Sequence, residues 1–218
     1  MKPVLLVLLS FICLAFATQP SPCVKIHMIV ARQSSAWPGE GRLKELADYI
    51  KQKLPGSDSE ALQYPAYGDI WRYRSSVFAG DKAMVTAITN YTSHCPDSKI
   101  GAHIIGDILC GSIFERDFQP IPPIDDHLGA RIIAAVSMGD PTFVPSLPYD
   151  FGTSKNTGKF PRVNNTVCTK YDFIRRSYCD EGDIYCASGF WFGVHRRYVV
   201  KYKDDATRFV LARVDATM

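Results

Sequence analysis

Residues 24–66 read VKIHMIVARQSSAWPGEGRLKELADYIKQKLPGSDSEALQYPA. Val24 to Ala31 is an uninterrupted, β-branched-rich run, the pattern of a strand buried on both faces. Gly41 to Leu54 follows with helical spacing, placing Leu43, Leu46, Ala47, Ile50 and Leu54 on one face. Pro55-Gly56 stops that helix. Ala61 to Ala66 reads as a short second strand ending at Pro65. Strand, helix and strand in this order make a βαβ unit, so the sheet should be parallel and covered by helices on both sides.

The pattern continues outward. Gly80 to Thr92 reads as a helix with Met84, Val85, Ile88 and Tyr91 inward. Gly101 to Cys110 reads as another, carrying Ile104, Ile105, Ile108 and Leu109. Ala130 to Met138, ARIIAAVSM, is a second continuous apolar strand. Gly139 to Asp172 is a long excursion rich in Pro and Gly. Phe173 to Tyr178 reads as a last strand and Ala206 to Val214 as the closing helix. The chain reads as one α/β domain, without linker or internal repeat. One interval breaks the plan. A strand is due between Thr92 and Gly101, yet Cys95-Pro96-Asp97 is a turn and only Ser98-Lys99-Ile100 remain. A strand usually needs about five or six residues. In the other reading Ala102 to Leu109 is the strand, and its crossover helix is then missing.

The chain has 218 residues, 46% hydrophobic and 22% charged, with a net charge of +3. That is ordinary globular usage, without the basic block a nucleic-acid binder carries. Met1-Lys2, the apolar run Val4 to Ala17 and the small-residue end Ala15-Phe16-Ala17 read as a secretory signal peptide over residues 1–17. The run is shorter than the roughly 20 residues a spanning helix needs, so no membrane partner is expected. A single secreted domain should occupy residues 18–218. Of the 7 Cys, Cys13 leaves with the signal; Cys23, Cys95, Cys110, Cys168, Cys179 and Cys186 remain, an even number that reads as disulfides. No C-x-x-C pair exists and the 5 His are scattered, so neither metal nor cofactor is expected. Asn90-Tyr91-Thr92 and Asn164-Asn165-Thr166 are glycosylation sequons at Asn90 and Asn164.

Asp183 lies inside the Cys179–Cys186 loop, and His195 follows it by twelve residues. Acid before histidine is the second half of the α/β-hydrolase triad order. A short disulfide loop is a good mount for a carboxylate that must hold an imidazole in one tautomer. Spacing alone also fits a turn-capping Asp183 and a surface His195.

Longer segments bear on that choice. In order they are Ala31-Arg32-Gln33-Ser34-Ser35, Tyr64-Pro65-Ala66, Cys95-Pro96-Asp97-Ser98-Lys99-Ile100, and Gly101-Ala102-His103 through Leu109-Cys110-Gly111. Gly139-Asp140-Pro141-Thr142-Phe143, Gly152-Thr153-Ser154, Phe160-Pro161-Arg162, Ser177-Tyr178-Cys179-Asp180 and His195 through Tyr198 follow. From Cys23 on, the chain resembles the secreted fungal cutinase and acetylxylan esterase family of serine esterases, leaning toward the acetylxylan esterase branch. The resemblance implies a three-layer α/β/α sandwich with a central, mostly parallel sheet. It implies Asp183 as acid, His195 as general base and Ser34 in the oxyanion hole. It implies an acetylated polysaccharide or polyester as substrate, acting on which the chain would be an extracellular monomer. The disulfides expected with it are Cys23–Cys95, Cys110–Cys168 and Cys179–Cys186, the first and last supported by the family pattern.

The resemblance breaks at one point. In the family a strand and a Gly-Tyr-Ser-Gln-Gly elbow follow the Cys-Pro-Asp segment; here Ile100 runs into Gly101-Ala102-His103. About seven residues are absent, among them the nucleophilic Ser and the amide that completes the oxyanion hole. The central strand is therefore expected to be truncated or absent, and the chain as written to be inactive. Ser98, Ser112 and Ser137 lack the G-x-S-x-G context. His103 reads as a packed or capping residue opening the next helix. Arg162, Tyr149, Phe151, Phe160, Trp191 and Phe192 read as cleft lining or as packing. A non-catalytic binding relative and a structural wall protein are the other classes considered.

Overall fold

The computed structural model describes residues 22–103, 106–112 and 119–217. Residues 1–17, read from the sequence as a signal peptide and including Cys13, lie outside the described residues, as do Ile104 and Ile105. Six strands form one sheet: β1 (Ile26–Val30), β2 (Asp58–Ala61), β3 (Lys99–His103), β4 (Ile132–Met138), β5 (Asp150–Phe151) and β6 (Arg175–Tyr178). Their order is β2-β1-β3-β4-β6-β5, and every neighbouring pair is parallel. Helices α1 (Lys44–Lys53), α2 (Tyr73–His94), α3 (Gly106–Cys110), α4 (Asp126–Gly129), α5 (Phe192–His195) and α6 (Tyr198–Asp215) make up the outer layers.

Alternation along β1 builds two cores. Ile26, Met28 and Val30 pack with Leu46, Ala47 and Ile50 of α1 and Ala206, Val210 and Val214 of α6. Ile29 and Ala31 turn the other way, onto Met84 and Ile88 of α2 and Ile108 and Leu109 of α3. This is the expected α/β/α sandwich. Two helical predictions are shorter than the elements formed. α2 begins at Tyr73 rather than Gly80, and α6 begins at Tyr198 rather than Ala206.

The edge strand also moves, from 61–66 to Asp58–Ala61. Its residues are polar because they lie at an edge and answer His27, a buried polar residue of β1. His27 Nδ1 lies 2.6 Å from Asp58 Oδ1, its Nε2 lies 3.3 Å from Glu60 Oε1, and its ring stacks on Tyr91 at 3.7 Å.

The central strand is where expectation and structure part most clearly. Lys99–His103 forms β3 between β1 and β4, so the strand is present, and the predicted helix from Gly101 contracts to Gly106–Cys110. His103 is accordingly the last residue of a strand and not the opening of a helix. The facing backbone groups of β1 and β4 need partners, and leaving them buried and unpaired costs more than stretching a helix-patterned segment. The fit leaves a trace. Ile100 pairs with Ile132 but Gly101 pairs with Ala134, so β4 bulges at Ile133, and Ile133 and Ala134 both join the α1/α6 core. The register shift falls between Ile100 and Gly101, the junction at which the sequence departs from the esterase pattern.

All three expected disulfides are formed, Cys23–Cys95, Cys110–Cys168 and Cys179–Cys186. The first joins the chain entering β1 to the turn entering β3. The second ties the end of α3 to the 3-10 turn before β6.

Candidate active site

In a parallel sheet the loops leaving the C-terminal ends of the strands share one rim. Ser34 follows β1, Gly139 follows β4, and Asp183 lies on the loop after β6. His195 ends α5, the short helix returning the chain to α6.

Asp183 is fully buried, and its carboxylate collects donors. The Tyr185 amide reaches Oδ1 at 2.6 Å and the Cys186 amide at 3.0 Å. The Tyr198 hydroxyl donates to Oδ2 at 2.8 Å, and His195 Nδ1 lies 3.0 Å from the same oxygen. The Cys179–Cys186 bridge closes the loop from which both amides project. Burial pushes this carboxyl up, but the His195 hydrogen bond and then the Cys186 amide and neighbouring charge outweigh it, holding it below the ordinary carboxylate value. An ionised Asp183 accepting from Nδ1–H leaves Nε2 of His195 with a lone pair, the form a general base needs.

The imidazole is held from several sides. Tyr185 meets it edge-on at 4.7 Å. A Cβ on Gly139 would sit 2.7 Å from its Nδ1 and Cε1, and Gly139 has φ +70°, so only glycine fits there. Tyr198 stands beneath, its hydroxyl also accepting from the Asp180 amide at 2.9 Å. Asp180 in turn accepts from Lys201 at 2.7 Å and Tyr202 at 2.6 Å. Gly139 and Tyr198 had no assigned role in the sequence reading. Both lie in segments on which the resemblance rests, but the sequence does not show that Gly139 faces a ring far along the chain or that the Tyr198 hydroxyl bonds the Asp183 carboxylate.

Ser34 is exposed on the loop after β1. That loop is tied toward the histidine: Arg42 takes the Gln33 side chain through its amide at 3.0 Å and donates to the carbonyl of Arg196, beside His195, at 3.2 Å. Ser98 and Ser112 are buried with their hydroxyls bonded to backbone, and Ser137 sits within β4. Between β3 and α3 the chain reads His103-Ile104-Ile105-Gly106, without a hydroxyl or thiol.

Of the proposed cleft residues, only Trp191 and Phe192 lie exposed beside His195. Arg162 is buried, donating to Asp107 at 2.5 Å, to the Gly111 carbonyl at 3.1 Å and to Thr142 at 3.1 Å. Tyr149 is buried under the Arg175 guanidinium, Phe151 lies on β5 under Arg176, and Phe160 stacks with Tyr73. These four are packing. Asn90 and Asn164 are both exposed, and Asn164 Oδ1 accepts from the Thr166 hydroxyl of its own sequon at 2.7 Å.

The cutinase family model matches residues 22–214. The chain belongs to the cutinase family. It is 32% identical to an acetylxylan esterase of Hypocrea jecorina over 89% of this chain and 68% of that protein. It is also 32% identical to acetylxylan esterase 2 of Talaromyces purpureogenus, over 88% of each. The catalytic core of the Trichoderma reesei acetyl xylan esterase superposes with a TM-score of 0.81 at 30% identity, covering 88% of this chain and 100% of that one. Membership of the cutinase family supports an ester-hydrolase function. Among the described residues no helix is long and apolar enough to cross a membrane.

Proposed function

We propose that this protein is a secreted carboxylic ester hydrolase of the cutinase and acetylxylan esterase type, and that the sequence as written lacks the residue that starts its chemistry. The observation carrying this reading is the half-buried His195 bonded at 3.0 Å to the fully buried Asp183 carboxylate, together with a β3–α3 connection whose sequence offers no nucleophile. With a serine on that turn, Nε2 of His195 takes the hydroxyl proton as oxygen attacks the ester carbonyl. The oxyanion rests on the Ser34 side and on the amide after the nucleophile. The alcohol leaves with the proton from His195, and water repeats the cycle on the acyl-enzyme. Without that serine, no hydroxyl among the described residues is bonded to Nε2 of His195, where a general base needs one within roughly 2.6–3.2 Å. The substrate is an acetylated polysaccharide or a cutin-like polyester, and Asn90 and Asn164 carry glycans on a monomer.

The test is to insert an apolar strand segment with Gly-Tyr-Ser-Gln between Ile100 and Gly101. The restored chain should cleave p-nitrophenyl acetate and lose that rate on serine-directed phosphonate treatment. The unmodified chain should be no faster than its His195→Ala variant. An unmodified chain well above that control has another nucleophile, and the reading fails. A second reading, a non-catalytic binding relative, draws on the same turn. It requires transcripts that join Ile100 directly to Gly101, whereas an in-frame exon trimmed from the gene model predicts reads carrying the missing codons.

A further inference from the structure

One polar cluster lies away from the Asp183–His195 pair and has no part in its chemistry. His27 is the one polar residue of β1 and is 3% exposed. It stands opposite Asp58 of β2 on one side and opposite Ile100 of β3, which carries no charge, on the other. Asp58 Oδ1 lies 2.6 Å from its Nδ1. Glu60 Oε1, two residues on along the same face of β2, lies 3.3 Å from its Nε2. From α2 the Tyr91 ring stacks on the imidazole, 3.7 Å away and 7° from parallel, and its hydroxyl accepts from the Val24 amide at 3.4 Å. Lys51 of α1 bonds Ser59 instead, which alternation turns to the other face of β2.

This geometry selects a protonation state. A carboxylate only accepts hydrogen bonds, and a neutral imidazole has a hydrogen on one nitrogen and a lone pair on the other. Either neutral tautomer would therefore set a lone pair against a carboxylate oxygen, at 2.6 Å or at 3.3 Å. The imidazolium carries a hydrogen on both nitrogens and suits both carboxylates, and the stacked Tyr91 face favours a cation. Burial opposes the charge, but the contacts with Glu60 and Asp58 outweigh it and hold the group above the ordinary histidine value.

The strand answering His27 has little else to hold it. β2 is a four-residue edge strand with β1 as its one strand partner, and none of its residues is buried. The chain leaving it backs the loop that carries Ser34. The Leu62 amide donates to Val30 at 2.8 Å, Arg32 donates to the carbonyls of Leu62 at 3.3 Å and of Tyr64, and the Ser35 amide donates to Ala66 at 2.6 Å. We propose that His27, Asp58 and Glu60 form an acid-held clamp: the imidazolium fixes β2, and through it the Ser34 loop, in mildly acidic solution, and its deprotonation loosens both as pH rises. The proton goes to solvent, and the neutral ring leaves two neighbouring carboxylates without their counter-ion. The folded group titrates above the unfolded one, which titrates near 6.5, so the clamp's contribution is complete below that pH and is lost as pH rises through the folded value. The inference goes beyond the ester-hydrolase reading and does not rest on it.

Two measurements on the full chain test it. Long-range proton–nitrogen NMR should show both His27 ring nitrogens protonated at pH 6.5, where a free histidine is about half neutral. Hydrogen exchange, corrected for its intrinsic rate, should show peptides over 58–62 and 31–36 opening at least about threefold more at pH 9 than at pH 5.5, relative to β6, which reports any global change. Asp58→Asn and Glu60→Gln should each move the midpoint of that response to lower pH. His27→Gln carries no charge and should abolish the response; if it does not fold, the two carboxylate variants still decide. A neutral ring at pH 6.5, a β2 that follows β6 at every pH, or a midpoint indifferent to Asp58→Asn and Glu60→Gln each overturns the proposal. A response at 58–62 without one at 31–36 overturns the coupling to the Ser34 loop.

Discussion

At the scale of single residues, the pair Asp183–His195 depends on neighbours that make no chemistry themselves. Tyr198 is the clearest case, with one hydroxyl donating to Asp183 and accepting from the Asp180 amide. Tyr198→Phe leaves that buried amide unsatisfied and the carboxylate one donor short. It should cost about 1–3 kcal/mol of stability, read from urea unfolding; an unchanged midpoint would count against this account. Gly139 is tested differently. Gly139→Ala places a methyl 2.7 Å from the imidazole at φ +70°. In the elbow-restored enzyme it should lower turnover by about 10²-fold through displacement of His195, with binding of substrate little altered. An active Gly139→Ala enzyme would mean that the ring has more room than the geometry gives it.

At the scale of elements, β3 deserves the closest look because it is assembled from residues patterned for something else. Gly101 carries no side chain toward Met28, where an added Cβ would meet Cγ at an ordinary 3.5 Å. Gly in a strand interior costs roughly 0.5–1 kcal/mol relative to Ala. Gly101→Ala should therefore stabilise the chain by about that amount in thermal or urea melts; a loss would mean that the bulge beside it cannot take a methyl. The Cys23–Cys95 bridge fastens the two chain ends that enter β1 and β3. Replacing both cysteines should cost about 2–5 kcal/mol, as for native bridges in small secreted domains. A reduced-form comparison at equal pH checks the value.

At the scale of the molecule, a buried charged layer links α2, α3 and the excursion after β4. Asp81 of α2 is 2% exposed, facing Asp107 of α3, Arg162 and Asp140, with Tyr64 and Tyr73 also near. Burial first, then the Asp107 charge, pushes its carboxyl up to about 8, against the pull of Arg162. The unfolded group ionises near pH 4, so between roughly pH 4 and 8 the native state binds the extra proton. Stability should then fall as pH rises through that window, by at most about 1.4 kcal/mol per pH unit from this group. Asp81→Asn cannot ionise and should flatten the slope, gaining stability at pH 8 but not at pH 4. Parallel slopes for both proteins in urea titrations would remove Asp81 as the cause. Asp107→Asn should be harmful at every pH above its titration, because it strips a buried Arg162 of its counter-ion, a change worth about 3–5 kcal/mol.

Much of the fold was legible in residues 24–66 and 130–138, because a strand buried on both faces must be apolar throughout and an amphipathic helix must repeat every three to four residues. Asp183 and His195 were legible once longer segments were matched, since a disulfide loop and its histidine lie close in the chain. What the sequence could not reveal was non-local. The edge strand at Asp58–Ala61 has no strand pattern of its own; its carboxylates are explained only by His27 across the ladder. Gly139 and Tyr198 matter because folding brings them to a ring and a carboxylate numbered elsewhere. The loop carrying Ser34 holds its place because Arg32 bonds both it and the chain after β2. And β3 joined Lys99-Ile100, the remnant of a strand, to Gly101–His103, read as a helix start, because unpaired backbone on β1 and β4 is costlier than a poor strand, so the demand of the whole sheet overrode the local pattern.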